Sequence, residues 1–346
     1  MRTTMLTQIP ARRATVLSLS ATMLALAACG GDEERPASTG DVPVVSAVAS
    51  GVSSGTTTET PRVDYSTISY ETAESTYLAR DYGQATAMFS SYVERKPENP
   101  WGHYMLGLSA WKAGDRDRAR SALERSLELD PTHVKTLLNL GRVLLEQDRA
   151  GEAKERVLAA LALDSTSGEV HRMLGRVHTA LGVPDDAIAA YRTSLAHDPA
   201  DAWSMNNLAL IFIQQERYDE ALGPLARAVQ IRPGAPVFQN NLGIALERTG
   251  HVGAAREAYR AAIAADSGYR KAVESLTRLE GVEDDPAAVP VELSVLADAF
   301  EREVQRWREE RMAAIVPDLG VAVSPGGLTI VPDTVEVPMP EPMPPR

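Results

Sequence analysis

Three places in this 346-residue chain hold side chains whose types and spacing could do chemistry. His171 and His178 stand seven apart, so on a helix they share one face, as a pair of imidazole metal ligands would. Ser109-Ala110-Trp111-Lys112 sets a hydroxyl one helical turn from an amine, the spacing of a serine nucleophile and its base. Cys29, the one cysteine, ends an apolar stretch, Leu24–Gly31 ("LALAACGG"). The first two constellations are incomplete. No cysteine or carboxylate cluster joins the histidines, and the S-D-N and K-T-G motifs that accompany an active S-x-x-K are absent. There is no H-E-x-x-H and no phosphate-binding loop. The expectation is a chain that is not an enzyme and uses no metal or cofactor.

The elements that carry these residues repeat. Pro97 and Pro131 are 34 apart, and so are Pro199 and Pro233. With the chain aligned at that period from Ser66, the twentieth place reads Ala85, Ala119, Ala153, Ala187, Ala221 and Ala255. The eighth reads Ala73, Gly107, Gly141, Gly175, Ala209 and Gly243. The seventh reads Thr72, then Leu106, Leu140, Leu174, Leu208 and Leu242. The twenty-fourth reads Phe89, Leu123, Val157, Tyr191, Leu225 and Tyr259. Two helices fit in 34 residues, and small residues at places eight and twenty let them approach closely. Bulky residues at places seven and twenty-four fill the space beside them. Lys112–Arg116, Ala180–Asp186 and Arg248–Val252 read as turns in which glycine ends a helix. Ser109, Lys112 and both histidines therefore fall inside repeat helices. His171 and His178 occupy places four and eleven, which the repeat gives to packing.

On these residues, most completely Asn240–Ser267 ("NNLGIALERTGHVGAAREAYRAAIAADS"), the chain resembles the tetratricopeptide repeat family. The resemblance covers Ser66–Tyr269 as six repeats. It departs most in the first, at Thr72 and Thr76, and at Ser165 and Ser267, which replace proline. It implies an all-α fold: a right-handed superhelical solenoid of six helix-turn-helix units, each touching mainly its neighbours, with capping helices at the C-terminal end. Residues 270–281 read as a capping helix with Val273, Leu276 and Leu279 facing inward. Residues 290–316 read as an amphipathic helix whose stripe is Leu293, Leu296, Phe300, Val304 and Trp307. It either docks on the last repeat or binds a partner.

In that family, places two, five, six, nine, twelve and thirteen line the inner groove. Here they bring Trp101, Tyr104 and Trp111, then Lys135, Asn139, Arg142, Arg172 and Arg176, then Trp203, Asn206, Asn207, Asn240 and Asn241. Asn139, Asn207 and Asn241 share place six, similar to the asparagine ladder of peptide-holding members. A carboxamide offers a donor and an acceptor together. It can pair with a peptide backbone, or it can bridge neighbouring repeats. The basic residues favour an acidic or C-terminal segment.

The front end has a different character. Arg2, Arg12 and Arg13 precede an apolar run of roughly 15 residues, short of the ~20 a spanning helix needs. Leu26-Ala27-Ala28-Cys29 resembles the lipobox of bacterial lipoproteins, in which the signal is cut before the cysteine and the sulfur takes a diacylglycerol. The other reading is a membrane span followed by a free thiol. The resemblance divides the chain into a signal peptide (1–28), a lipidated Cys29 with a flexible linker (29–65), the repeats (66–269), the two C-terminal helices and a Pro-rich disordered tail (317–346). Gly30, where aspartate would favour the inner membrane, favours the outer membrane facing the periplasm. The net charge is −12 with no basic stripe, so nucleic acid is not expected as a ligand. The partners expected are an envelope protein or peptide segment and, through the lipid, the membrane, with no small-molecule substrate. The alternative is an assembly factor, pilotin-like, for an outer-membrane secretin, barrel or polysaccharide-export complex.

Overall fold

A computed structural model describes residues 67–283 and 290–315. The signal segment, Cys29, most of the linker and nearly all of the Pro-rich tail lie outside the described residues.

Within them the chain is all-α, with fourteen helices. The first helices of the six repeats are α1 (Tyr70–Leu78), α3 (Pro100–Lys112), α5 (Val134–Glu146), α7 (Gly168–Ala180), α9 (Ala202–Gln214) and α11 (Pro236–Arg248). The second helices are α2 (Tyr82–Arg95), α4 (Arg116–Leu129), α6 (Ala150–Leu163), α8 (Pro184–His197), α10 (Tyr218–Ile231) and α12 (Val252–Ala265). From α2 onward every start recurs at 34 residues. The seventh first-type helix, α13 (Arg270–Arg278), keeps the register and closes the array, and α14 (Leu293–Ile315) follows. Among the described residues no helix is long and apolar enough to cross a membrane.

The period has a physical cause at each place. All six alanines of place twenty are fully buried, and so are the residues of place twenty-four. Place eight lets the helices close. A Cβ on Gly175 would sit 2.5 Å from Tyr191 Cε1, and one on Gly243 2.5 Å from Tyr259 Cε1. The turn between the helices of every repeat has a left-handed residue at place fifteen. It is glycine in the even repeats, Gly114, Gly182 and Gly250, and Arg80, Asp148 and Glu216 in the odd ones. Asp130, Asp164, Asp198 and Asp266 end second helices, and each accepts a bond from the backbone N–H two residues on. This is the side-chain turn that made "Asp then Pro or Ser" visible in the sequence. Thr72 is exposed in the short α1, which explains why the first repeat lacks the leucine of place seven.

Successive first helices touch one another, whereas each second helix touches first helices, with α14 as a further neighbour of two of them. The first helices therefore line the inside of the curve and the second helices the outside.

The two C-terminal helices differ from the sequence reading. In α13, Ala272 and Leu279 are buried and Leu276 is partly buried, but Val273 is 42 % exposed. Ala272 stands at place three, which the structure fills with buried residues in repeats two to six (Gly102, Thr136, Val170, Ser204, Phe238). α14 does not dock on the last repeat. It folds back over the outer face of repeats four and five, against α8 and α10. Ala297, Phe300 and Val304 are buried there, Leu293, Leu296 and Trp307 partly so. Its seat is cut by small residues. A Cβ on Gly223 would lie 3.4 Å from Phe300 Cβ, and Ala226 is buried nearby. Arg227 pairs with Glu301 at 2.7 Å, and the Arg192 guanidinium lies 5.0 Å from the Trp307 ring centroid.

Candidate functional site

The inner face is built from first helices, so it carries the side chains of places two, five, six and nine. A polar thread runs along it and crosses the junctions from repeat two to α13. From repeat two to three, Asn139 Nδ2 donates to the Tyr104 hydroxyl at 3.2 Å, and Trp111 Nε1 donates to Glu146 Oε1 at 3.0 Å. From three to four, Arg142 holds Asn139 Oδ1 at 2.8 Å and Glu169 Oε1 at 2.7 Å. From four to five, Arg172 pairs with Asp201 at 2.9 Å. From five to six, Asn241 Nδ2 donates to Asn206 Oδ1 at 2.8 Å. The thread ends where Arg278 of α13 pairs with Glu247 at 2.8 Å.

These bonds engage much of the predicted groove set in holding repeats together. Asn139, Asn206 and Asn241 are buried and bonded across junctions. The four clustered asparagines form a one-way relay: Asn240 Nδ2 to Asn241 Oδ1, Asn241 to Asn206, and Asn206 Nδ2 to Asn207 Oδ1. Asn207 is half-buried and also reaches the Tyr191 hydroxyl, beside Thr179, Arg176 and Arg172. Burial pushes the Tyr191 phenol up to about 12, so it stays neutral, with its Thr179 and Asn207 hydrogen bonds opposing the rise.

The rest of the set is less engaged. Trp101 is 53 % exposed, with its ring tilted against His133 at 4.7 Å and edge-on to Tyr104 at 5.9 Å. Lys135 is exposed beside it. Trp203 packs edge-on to Phe238 at 4.9 Å, with its indole N–H buried and unpartnered. Asn240 Oδ1 and Arg176 Nη1 are likewise enclosed without a partner. The sequence reading missed the acids that engage the arginines, Glu146, Glu169 and Asp201. It also missed Tyr191, a buried place-twenty-four packing residue whose hydroxyl bonds Asn207 and Thr179. Asp201 was recoverable, because an aspartate just before a helix start is a capping signal. It accepts from Trp203 N at 3.1 Å and from Ser204 Oγ at 2.6 Å.

Of the residues that opened the sequence reading, the described ones do not assemble. Ser109 is fully buried and donates to its own helix at Met105 O, while the Lys112 ammonium lies over the Trp111 ring at 4.9 Å. His171 stacks on His197 at 5.3 Å, and His178 stands 3.8 Å from Asp186. Among the described residues no group of three or more His, Cys, Asp or Glu could hold a metal ion.

Two family models described as tetratricopeptide repeat match the chain, one over residues 110–177 and the other over 172–236 and 238–286. Among curated relatives, tetratricopeptide repeat protein 37 of Xenopus laevis is 27 % identical over 169 residues, 45 % of this chain and 10 % of its own length. Type IV pilus assembly protein PilF of Pseudomonas aeruginosa (strain PAO1) is 31 % identical over 109 residues, 31 % of this chain and 43 % of its own. The chain thus spans less than half the length of these curated relatives. Among solved structures, the Cut9–Hcn1 hetero-tetramer of APC/C superposes with a TM-score of 0.54 at 17 % identity, over 61 % of this chain and 42 % of that one. That likeness is one of fold.

Proposed function

The chain belongs to the tetratricopeptide repeat family, and from that premise we propose that it is a lipid-anchored scaffold of a bacterial cell envelope that holds an extended or helical segment of another envelope protein along its inner face. The observation that carries this reading is the unfinished bonding of that face. In repeats four to six, Arg176, Trp203 and Asn240 each keep an enclosed polar atom without a partner, while bonds across the junctions from repeat two onward hold the scaffold in place. Enclosed polar groups left unbonded cost stability, so they persist where a ligand completes them. Exposed Trp101 adds an aromatic anchor at one end of the same face. The lipid anchor and outer-membrane position rest on the Leu26–Cys29 motif and on Gly30.

Site-specific photo-crosslinking tests the binding face. A benzoylphenylalanine at Trp101 or Lys135 should trap a partner, and one at exposed Ser121 or Glu257, on second helices, should not. Crosslinks confined to the second helices would refute the reading. Labelling with an alkyne fatty acid tests the anchor, since Cys29→Ala should lose the label.

The PilF match favours a second reading, an assembly factor for an outer-membrane secretin or a related export complex. The two separate through the anchor. In the assembly reading Cys29→Ala abolishes secretin multimers although crosslinking at Trp101 persists. In the scaffold reading multimers form as before.

A further inference from the structure

We propose that the last two turns of α14 are a proton-released clasp, held down on repeat four while His171 and His197 are neutral and let go when either ring is protonated. The clasp lies away from the inner face and works whether or not that face holds a segment.

The stripe that docks α14 runs through Leu293, Leu296, Phe300, Val304 and Trp307, and its next position is Arg311. Phe300 lies against Gly223 of α10, and Trp307 against Arg192 of α8. Beyond Trp307 the described residues of α14 are exposed, Arg311 excepted. Apolar burial therefore holds the first part of the helix and leaves its end to a guanidinium. That guanidinium acts on two imidazoles, one in the first turn of α7 and one at the end of α8. The His171 and His197 rings lie parallel within 12°, with centroids 5.3 Å apart. His197 Nε2 and Arg311 Nε are both enclosed without a hydrogen-bond partner.

The histidines stand at places four and thirty. Repeats three and five put Leu137 with Leu163, and Met205 with Ile231, at these places, so the titratable pair is particular to the repeat under the end of α14. Place four has a second duty. His171 Nε2 lies 3.0 Å from the Ser165 carbonyl, as Gln239 Nε2 lies 3.2 Å from that of Pro233. A carbonyl only accepts, so Nε2 carries a proton and Nδ1 takes up the next one. A neutral ring tolerates a guanidinium beside it, and an imidazolium repels it. Arg311 of α14 and Asp164 at the end of α6 are the charges acting on both rings, and the carboxylate opposes the repulsion. Farther up the seat, Arg227 holds Glu301. Lifting the end of α14 removes Arg311 and admits water, so the released state binds protons more tightly. Docking is at full strength above about pH 6.5 and weakens up to tenfold per pH unit for each ring below it, until the docked rings titrate.

The test is a spin-label distance measurement on the full chain with Cys29→Ala, labelled at Met312→Cys and Ala162→Cys, both exposed sites. One narrow distance is expected at pH 7.5. At pH 5.0 a broad, longer population should grow about tenfold or more against it. Two variants assign the cause. His171→Gln with His197→Leu copies residues that other repeats use at these places, and Arg311→Met continues the apolar stripe. Each should keep the narrow distance at both pH values. Hydrogen exchange at pH 5.0 should leave α7 and α8 protected. An unchanged distance in the parent, or full broadening in either variant, would overturn the proposal. So would loss of protection in α7 and α8, because repeat four itself would then be opening. Should the histidine variant not fold, Arg311→Met decides alone.

Discussion

The closest approach between paired helices is set at place eight, and one methyl group tests it. In Gly175→Ala the new Cβ would lie 2.5, 2.7 and 2.8 Å from three atoms of the Tyr191 ring. The ring is 1 % exposed, its hydroxyl is engaged by Thr179 and Asn207, and it has no room to retreat. Overpacking of this kind costs about 1–3 kcal/mol, and replacing a helical glycine by alanine returns about 1 kcal/mol. The net is a loss of roughly 0–2 kcal/mol. Gly141→Ala is the matched control. Its Cβ would meet Val157 Cγ2 at 3.2 Å, a contact that yields with a few tenths of an ångström, and Ala153 O at an ordinary 3.9 Å, so the propensity gain dominates. The two variants should therefore differ by about 1–3 kcal/mol in opposite directions. At about 2–4 °C per kcal/mol for a unit of this size, thermal melts followed by circular dichroism separate them by several degrees. Repeat five already pairs alanine at place eight with leucine at place twenty-four, Ala209 with Leu225. Gly175→Ala combined with Tyr191→Leu should accordingly lose less than the sum of the single changes. Equal melting of Gly175→Ala and Gly141→Ala, or strict additivity in the double variant, would refute the idea that place eight is set by the residue opposite it.

Ala221→Leu puts a large side chain at a fully buried place-twenty position and should cost about 1–3 kcal/mol in denaturant titration. Gly182 sits at φ 70°, so Gly182→Ala should lower the melting temperature by the equivalent of about 1 kcal/mol, while Asp148→Gly, at φ 59°, should not lower it. Phe300→Ala removes a buried ring worth about 3–5 kcal/mol, more than one docked helix can spare. Hydrogen exchange should then rise over residues 293–314 while α8 and α10 stay protected. Burial holds the His171 and His197 imidazoles below their ordinary value, with Arg311 of α14 adding to the effect and Asp164 opposing it. The unfolded chain binds more protons than the folded one between those lowered values and about 6.5. Stability should be fully present above pH 6.5 and fall as pH drops below it, and His197→Gln should flatten that fall in melts taken between pH 5 and 7.5.

Much of the fold was readable because packing and turn chemistry repeat. Alanine at place twenty and a small residue at place eight recur in all six repeats, and the aspartate before Pro or Ser in four, and each is a local constraint. The seat of α14 is not periodic. It depends on Gly223 and Ala226 of α10 being small, at places that hold Glu155 and Glu257, or Glu124 and Arg260, in other repeats. Ala226 is the clearer signal of a covered outer face on repeat five, because its place holds Ser90, Glu124, Leu158, Arg192 and Arg260 elsewhere, whereas Gly223 shares its place with small Ala87, Ser121 and Ala189. The misplacement of Val273 has the same origin. An apolar residue in a short helix was assigned inward by type, whereas the repeat register assigns that role to place three, Ala272.

The inner-face side chains were harder to read for a reason that lies in their chemistry. A carboxamide or a guanidinium at places five, six or nine points into the groove and also toward the next repeat, and the sequence position is the same for both uses. The choice is made by what stands across the junction. Asn139 meets the Tyr104 hydroxyl, Asn241 meets Asn206, Arg142 meets Glu169 and Arg172 meets Asp201, so these four are committed to cohesion. Arg176 meets no acid, and Asn207 is the half-buried end of the amide relay. Mutating the committed residues therefore confounds loss of binding with loss of stability, because each removal strands a buried partner. Arg176, Asn207 and exposed Trp101 are the positions at which the two can be told apart. A binding defect confined to the committed residues would mean that the groove acts only through the curvature those bonds maintain.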